Sequence, residues 1–132
     1  MKKKVLTVDD SRTIRNMLLV TLNNAGFETV QAEDGVEGLE VLEESNPDVI
    51  VTDYTMPGGS GEYLLNCLSG DPSTKDIPVI ILTGRTFDGG EDVALKRDMV
   101  GRGGAVAYFN KPVNMDLLLA ELQKQITLRR AH

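Results

Sequence analysis

The chain has 132 residues and a single cysteine, enough for one domain with a real core and no internal disulfide. Its formal net charge of −6 argues against a general nucleic-acid binder, which needs a basic surface. No apolar run approaches the length of a membrane span. The opening Lys2-Lys3-Lys4 is followed only by Val5 to Val8 before two aspartates, so it does not read as a signal peptide. A reducing, cytoplasmic location fits the lone Cys67, which reads as a small buried hydrophobe. No internal repeat, low-complexity segment or linker interrupts the chain.

Val5-Leu6-Thr7-Val8 predicts a first strand that stops at Asp9-Asp10. A helical period follows from Ser11, with Ile14, Met17, Leu18, Thr21, Leu22 and Ala25 on one face and Gly26 placed to end it in a left-handed conformation. Phe27 to Ala32 alternates and predicts a second strand, nearer an edge. Asp34-Gly35 starts a second helix with Val36, Leu39 and Leu42 inward, and Asn46-Pro47 stops it. Val49-Ile50-Val51-Thr52 predicts a strand buried on both faces, ending on Asp53. A third helix turns Leu64, Leu65 and Leu68 inward. Ile77 to Leu82 is a fourth strand, ending on Thr83-Gly84. A long polar segment leads to a fourth helix near Glu91 to Val100, broken by Gly101, Gly103 and Gly104. Ala105 to Phe109 is a fifth strand, ending on Asn110-Lys111-Pro112. Asn114 caps a last helix with Met115, Leu118, Leu119, Leu122 and Ile126 on its apolar face.

Five strands alternating with five helices predict an α/β fold, a doubly wound parallel sheet covered on both faces. Parallel strands end at one edge, so Asp9, Asp10, Asp53, Thr83 and Lys111 converge there. Singly, each has a plain structural role: Asp10 or Ser11 as a helix cap, Thr83 bonding its own backbone, Lys111 in solvent. Together they form a site. Carboxylates about 4 Å apart at an effective dielectric near 20 repel by about 4 kcal/mol per pair, so either their pKa values rise or a cation sits between them. An all-oxygen set suits Mg²⁺, with Mn²⁺ as the alternative. Zinc lacks its usual ligands, since His132 ends the sequence and Cys67 stands alone. A carboxylate beside a divalent ion is a nucleophile toward phosphorus, giving an aspartyl-phosphate. Mg²⁺ and Lys111 supply positive charge to the outer oxygens, and the Thr83 hydroxyl supplies a hydrogen bond.

Asp9-Asp10, Asp53 followed by Met56-Pro57 and Gly61, Thr83-Gly84 and Lys111-Pro112 resemble, in order, the motifs of the CheY-like receiver domains of two-component response regulators. The resemblance runs from about Lys3 to Leu128. It implies a single (βα)5 flavodoxin-like domain over residues 1–132, strand order 2-1-3-4-5, with no output domain; a receiver fragment of a larger regulator is the alternative. It implies Asp53 as phosphoacceptor, served by a sensor histidine kinase or a histidine phosphotransfer protein. Asp9 or Asp10, with Asp10 the more direct ligand, would hold Mg²⁺ with Asp53 and the backbone carbonyl of Thr55. Lys111 would meet the phosphoryl group, and its bond to Pro112 would be cis. Thr83 and Tyr108 match the switch pair that alters a surface for a downstream protein, on the fourth helix, fifth strand and fifth helix. The implied protein is a cytoplasmic monomer or weak dimer, bound to neither membrane nor nucleic acid. It catalyses only its own phosphorylation and dephosphorylation.

The segment from Thr83 to Lys111 is longer than the family pattern, which leaves the partner surface open and makes Arg85 a candidate contact to a phosphoryl group or kinase. A turnover phosphatase working through an aspartyl-phosphate wants a second Asp two residues past the nucleophile, where this chain has Thr55. A nucleotide- or flavin-binding reading lacks a glycine-rich phosphate loop after the first strand.

Overall fold

The computed structural model describes residues 2–54, 61–83 and 105–130. The predicted fourth helix near Glu91 to Val100 lies outside these residues, as do Thr55, Met56, Pro57, Gly84 and Arg85. The described elements are β1 (Lys4–Val8), α1 (Arg12–Asn24), β2 (Glu28–Ala32), α2 (Gly35–Ser45), β3 (Val49–Asp53), α3 (Gly61–Ser69), β4 (Val79–Thr83), β5 (Ala105–Asn110) and α4 (Met115–Arg130).

All strand pairs are parallel, in the order β2-β1-β3-β4-β5. β3 and β4 are buried at every position, as their unbroken β-branched runs require. Successive residues point to opposite faces, so each strand feeds two cores. Leu6, Val8, Ile50, Val79 and Ile81 pack with Leu42 of α2 and Leu64, Leu65 and Leu68 of α3. Val5, Val49, Val51, Ile80 and Leu82 pack on the other side with Leu18 and Leu22 of α1 and Leu118, Leu122 and Ile126 of α4. Each Leu or Ile so buried contributes about 2 kcal/mol of transfer free energy. The result is a doubly wound parallel sheet with four helices among the described residues, and the expectation of a helix near Glu91 to Val100 falls outside them.

Local sequence explains where the helices start and stop. Ser11, not Asp10, caps α1 by accepting the Ile14 N–H at 3.3 Å. Gly26 follows that helix at φ +92°, a left-handed conformation that glycine adopts at no steric cost. Asp34 caps α2 through the Glu37 N–H at 2.8 Å, and Asn46 closes it at φ 51°. The Asn114 side chain accepts the Leu117 N–H at 3.1 Å, opening α4.

Three expected core positions face outward. Met17 is 49% and Val36 48% exposed, and Ala25 is also exposed. In α2 the buried stripe is Gly35, Gly38 and Leu42. A Cβ on Gly38 would lie 3.3 Å from Val8 Cγ2, so the helix meets β1 through glycine and turns Val36 to solvent. In α1 the stripe narrows to Leu18 and Leu22, with Ile14 partly covered. Cys67 is half-buried rather than fully buried, because it lines a 280 Å³ cavity between α2 and the segment joining α3 to β4.

Candidate functional site

The parallel order brings the carboxyl ends of β1, β3, β4 and β5 to one edge, and backbone bonds hold that edge in register. The Asp9 N–H donates to the Ala32 carbonyl at 3.1 Å, Tyr54 to Leu82 at 2.9 Å, and Lys111 to Thr83 at 2.7 Å. The peptide bond between Lys111 and Pro112 is cis.

Asp9, Asp10 and Asp53 each offer a carboxylate oxygen, and these oxygens lie within 4.8 Å of one another. Asp9 and Asp53 are buried; Asp10 is exposed. The Lys111 ammonium stands between the two buried members, 2.8 Å from Asp9 Oδ2 and 3.5 Å from Asp53 Oδ2. Asp9 Oδ1 accepts the Ser11 N–H at 2.9 Å. Asp9 Oδ2 has the ammonium as its ion-pair partner but no hydrogen bond of good angle, although it is buried. At 2.8 Å the two groups are in direct electrostatic contact.

The electrostatics follow from this packing. Burial pushes the Asp53 carboxyl above its ordinary 3.8, and neighbouring Asp9 and Asp10 add to the rise, against the opposing pull of Lys111. For Lys111, burial acts to lower the pKa, but Asp9 and Asp53 together outweigh it and hold the ammonium above its usual range. Two carboxylates near one cation leave local negative charge uncompensated. A buried carboxylate oxygen without a well-formed hydrogen bond, beside two further carboxylates, is a donor set that suits a hard divalent cation. Asp9, Asp10 and Asp53 are the described residues that could hold it.

Thr83 ends β4 with 1% of its surface exposed, at the same edge. Tyr108 is half-buried on β5, and its ring packs against the α2–α3 core. Its hydroxyl donates to Asn110 Oδ1 at 3.0 Å, along the strand. The fold thus gathers Asp9, Asp10, Asp53, Thr83 and Lys111 at one edge, with Tyr108 set back along β5. Thr55 and Arg85 lie outside the described residues. Sequence reasoning missed Arg15, whose Nη1 donates to the Asp9 carbonyl at 2.6 Å. Its one signal was a charged residue directly after inward-facing Ile14 in a helix packed on the sheet.

Comparison with known proteins points to one family. Residues 5–123 match the response regulator receiver domain family. The phosphate regulon transcriptional regulatory protein PhoB of Escherichia coli strain K12 is 36% identical over 123 residues, covering 93% of this chain and 51% of PhoB. The chain therefore spans about half the length of the PhoB proteins it matches. The chemotaxis protein CheY of Pseudomonas aeruginosa is 33% identical over 125 residues, covering 92% of this chain and 94% of CheY. Among solved structures, the receiver domain of the Francisella response regulator 1452 superimposes with a TM-score of 0.85 at 30% identity, over 97% of this chain and 99% of that one. The parallel sheet, the acidic edge and these matches together make the chain a member of the response regulator receiver domain family, the phosphorylation-based signalling modules of two-component systems.

Proposed function

We propose that the chain accepts a phosphoryl group on Asp53 from the phosphohistidine of a sensor histidine kinase or histidine phosphotransfer protein. The observation that carries this reading is the Lys111 ammonium set between buried Asp9 and Asp53 where three core strands end. An Asp53 carboxylate oxygen attacks phosphorus. The new oxygen–phosphorus bond replaces the nitrogen–phosphorus bond of the donor, and the imidazole departs with the bonding pair and takes a proton from solvent. Lys111 follows the charge onto the phosphoryl oxygens, and the Thr83 hydroxyl donates a hydrogen bond to one of them.

Asp9, Asp10 and Asp53 would hold Mg²⁺, with the Thr55 carbonyl as a fourth ligand. When bound, Mg²⁺ neutralises the carboxylates and the phosphoryl oxygens. Movement of Thr83 toward the phosphoryl group frees space behind it for the Tyr108 ring, which alters a surface for a downstream protein. The chain acts as one receiver unit in the cytoplasm and is not a turnover enzyme. Among the described residues no helix is long and apolar enough to cross a membrane.

Incubation with acetyl phosphate and Mg²⁺, read by intact mass, tests this. One phosphoryl group is expected on the wild-type chain, and none on Asp53→Asn or in EDTA. Labelling of Asp53→Asn at the wild-type level overturns the assignment. Multiple-turnover release of phosphate from small phosphomonoesters favours the phosphatase reading instead.

A further inference from the structure

Asp9 is tied down at almost every polar atom. Its N–H donates to the Ala32 carbonyl at 3.1 Å, its Oδ1 accepts the Ser11 N–H at 2.9 Å, and its Oδ2 faces Lys111 at 2.8 Å. The remaining atom, its carbonyl oxygen, accepts from Arg15 Nη1 at 2.6 Å. The Arg15 side chain is 11% exposed, and its Nη2 lies 3.7 Å from Glu33 Oε1. The Arg15 carbonyl in turn accepts from Gln31 Nε2 at 3.3 Å, which ties α1 to the edge strand β2.

We infer that Arg15 is a positioning residue for the divalent-cation site. It touches neither the ion nor the phosphoryl group and works through the Asp9 carbonyl. The peptide unit joining Asp9 to Asp10 is planar and rigid, so holding its oxygen fixes both the Asp9 backbone and the Cα from which the Asp10 side chain departs. A guanidinium donor makes this a charge-assisted bond, about twice as strong as a neutral one. Asp10 is exposed, so the position of its carboxylate relative to Asp9 and Asp53 depends on the backbone that this tether holds. Glu33, 69% exposed, contributes little, because exposed ion pairs are screened. The inference rests on the reading of Asp9, Asp10 and Asp53 as cation ligands.

The test is Mg²⁺ titration of the wild type, Arg15→Ala, Arg15→Lys and Glu33→Gln, read by amide NMR shifts, with circular dichroism confirming that each is folded. Arg15→Ala is expected to bind Mg²⁺ about 10-fold more weakly or worse, the usual cost of losing a partner that orients a ligand. Arg15→Lys falls between it and the wild type, and Glu33→Gln stays within about twofold of wild type. Without metal, the Asp10 and Ser11 amides exchange faster in Arg15→Ala, a local change that simple loss of stability does not confine to that turn. Should Arg15→Ala not fold, Arg15→Lys carries the test, and Mg²⁺ affinity equal to wild type in that variant overturns the inference. So does wild-type affinity in folded Arg15→Ala. A wild-type chain whose Mg²⁺ affinity is unchanged by Asp10→Asn and Asp53→Asn overturns the cation reading itself.

Discussion

At the amino edge of the sheet, charged groups end on firm partners. The Lys4 N–H donates to Asp48 Oδ2 at 2.8 Å, the Lys4 ammonium donates to the Ser45 carbonyl at 2.8 Å, and the Asn46 N–H closes α2 on the Leu42 carbonyl at 2.9 Å. At the carboxyl edge, oxygens of three carboxylates lie within 4.8 Å of one another, Lys111 pairs with two of them, Asp9 and Asp53, and Asp9 Oδ2 is buried without a well-formed hydrogen bond. Both edges terminate the same core strands, so folding alone does not require the difference. The amino edge is organised for stability. The carboxyl edge keeps like charges together at a cost, which a bound cation would offset.

Removing the lysine breaks this contrast most severely. Lys111→Ala leaves Asp9 and Asp53 buried without their cation and is expected to cost about 3 kcal/mol in denaturant unfolding without metal. Part of that loss returns on adding Mg²⁺. A mutant whose loss ignores Mg²⁺ contradicts the cation site.

The next effect is a dependence on pH. The Asp53 carboxyl is held above its ordinary value by burial, so the fold binds its proton more tightly than the unfolded chain does. Its ionised form therefore costs stability at neutral pH. That cost fades as pH falls through the raised folded value toward 3.8 and is gone below it. Metal-free Asp53→Asn is expected to melt a few degrees above wild type at pH 7, the shift that roughly 1 kcal/mol produces in a domain of this size. The gap closes in acid. A gap that widens in acid has the wrong sign for this account.

An effect of similar size, but indifferent to metal, lies at the other edge. Asp48→Ala removes the acceptor of the Lys4 N–H and costs about 1 kcal/mol, equally with and without Mg²⁺. Sensitivity to Mg²⁺ there removes the distinction between the edges.

Much of the carboxyl edge was legible because parallel strands turn sequence order into spatial convergence. Asp53 and Thr83 each end an apolar run, and such runs are the strongest signal a buried strand gives. The division of labour within Asp9-Asp10-Ser11 was not legible. All three suit a helix cap, and only the structure assigns the cap to Ser11, burial to Asp9 and exposure to Asp10. The second helix misled for a different reason. Periodicity scores side chains, so it put Val36 in the core and could not see that Gly35 and Gly38 lie on the buried face, where Gly38 leaves room for the Val8 and Leu64 side chains. Arg15 escaped notice because a charged residue on an amphipathic helix reads as solvated until its partner, a backbone carbonyl six positions earlier, is located.

The central claim is that the carboxyl edge is unfavourable in itself and made favourable by a cation. Thermal melting of wild type and Asp53→Asn, each with EDTA and with saturating Mg²⁺, tests it most directly. The account predicts a crossing: Asp53→Asn is the more stable chain in EDTA, and the wild type is the more stable chain in Mg²⁺. The same order of stability in both conditions contradicts it.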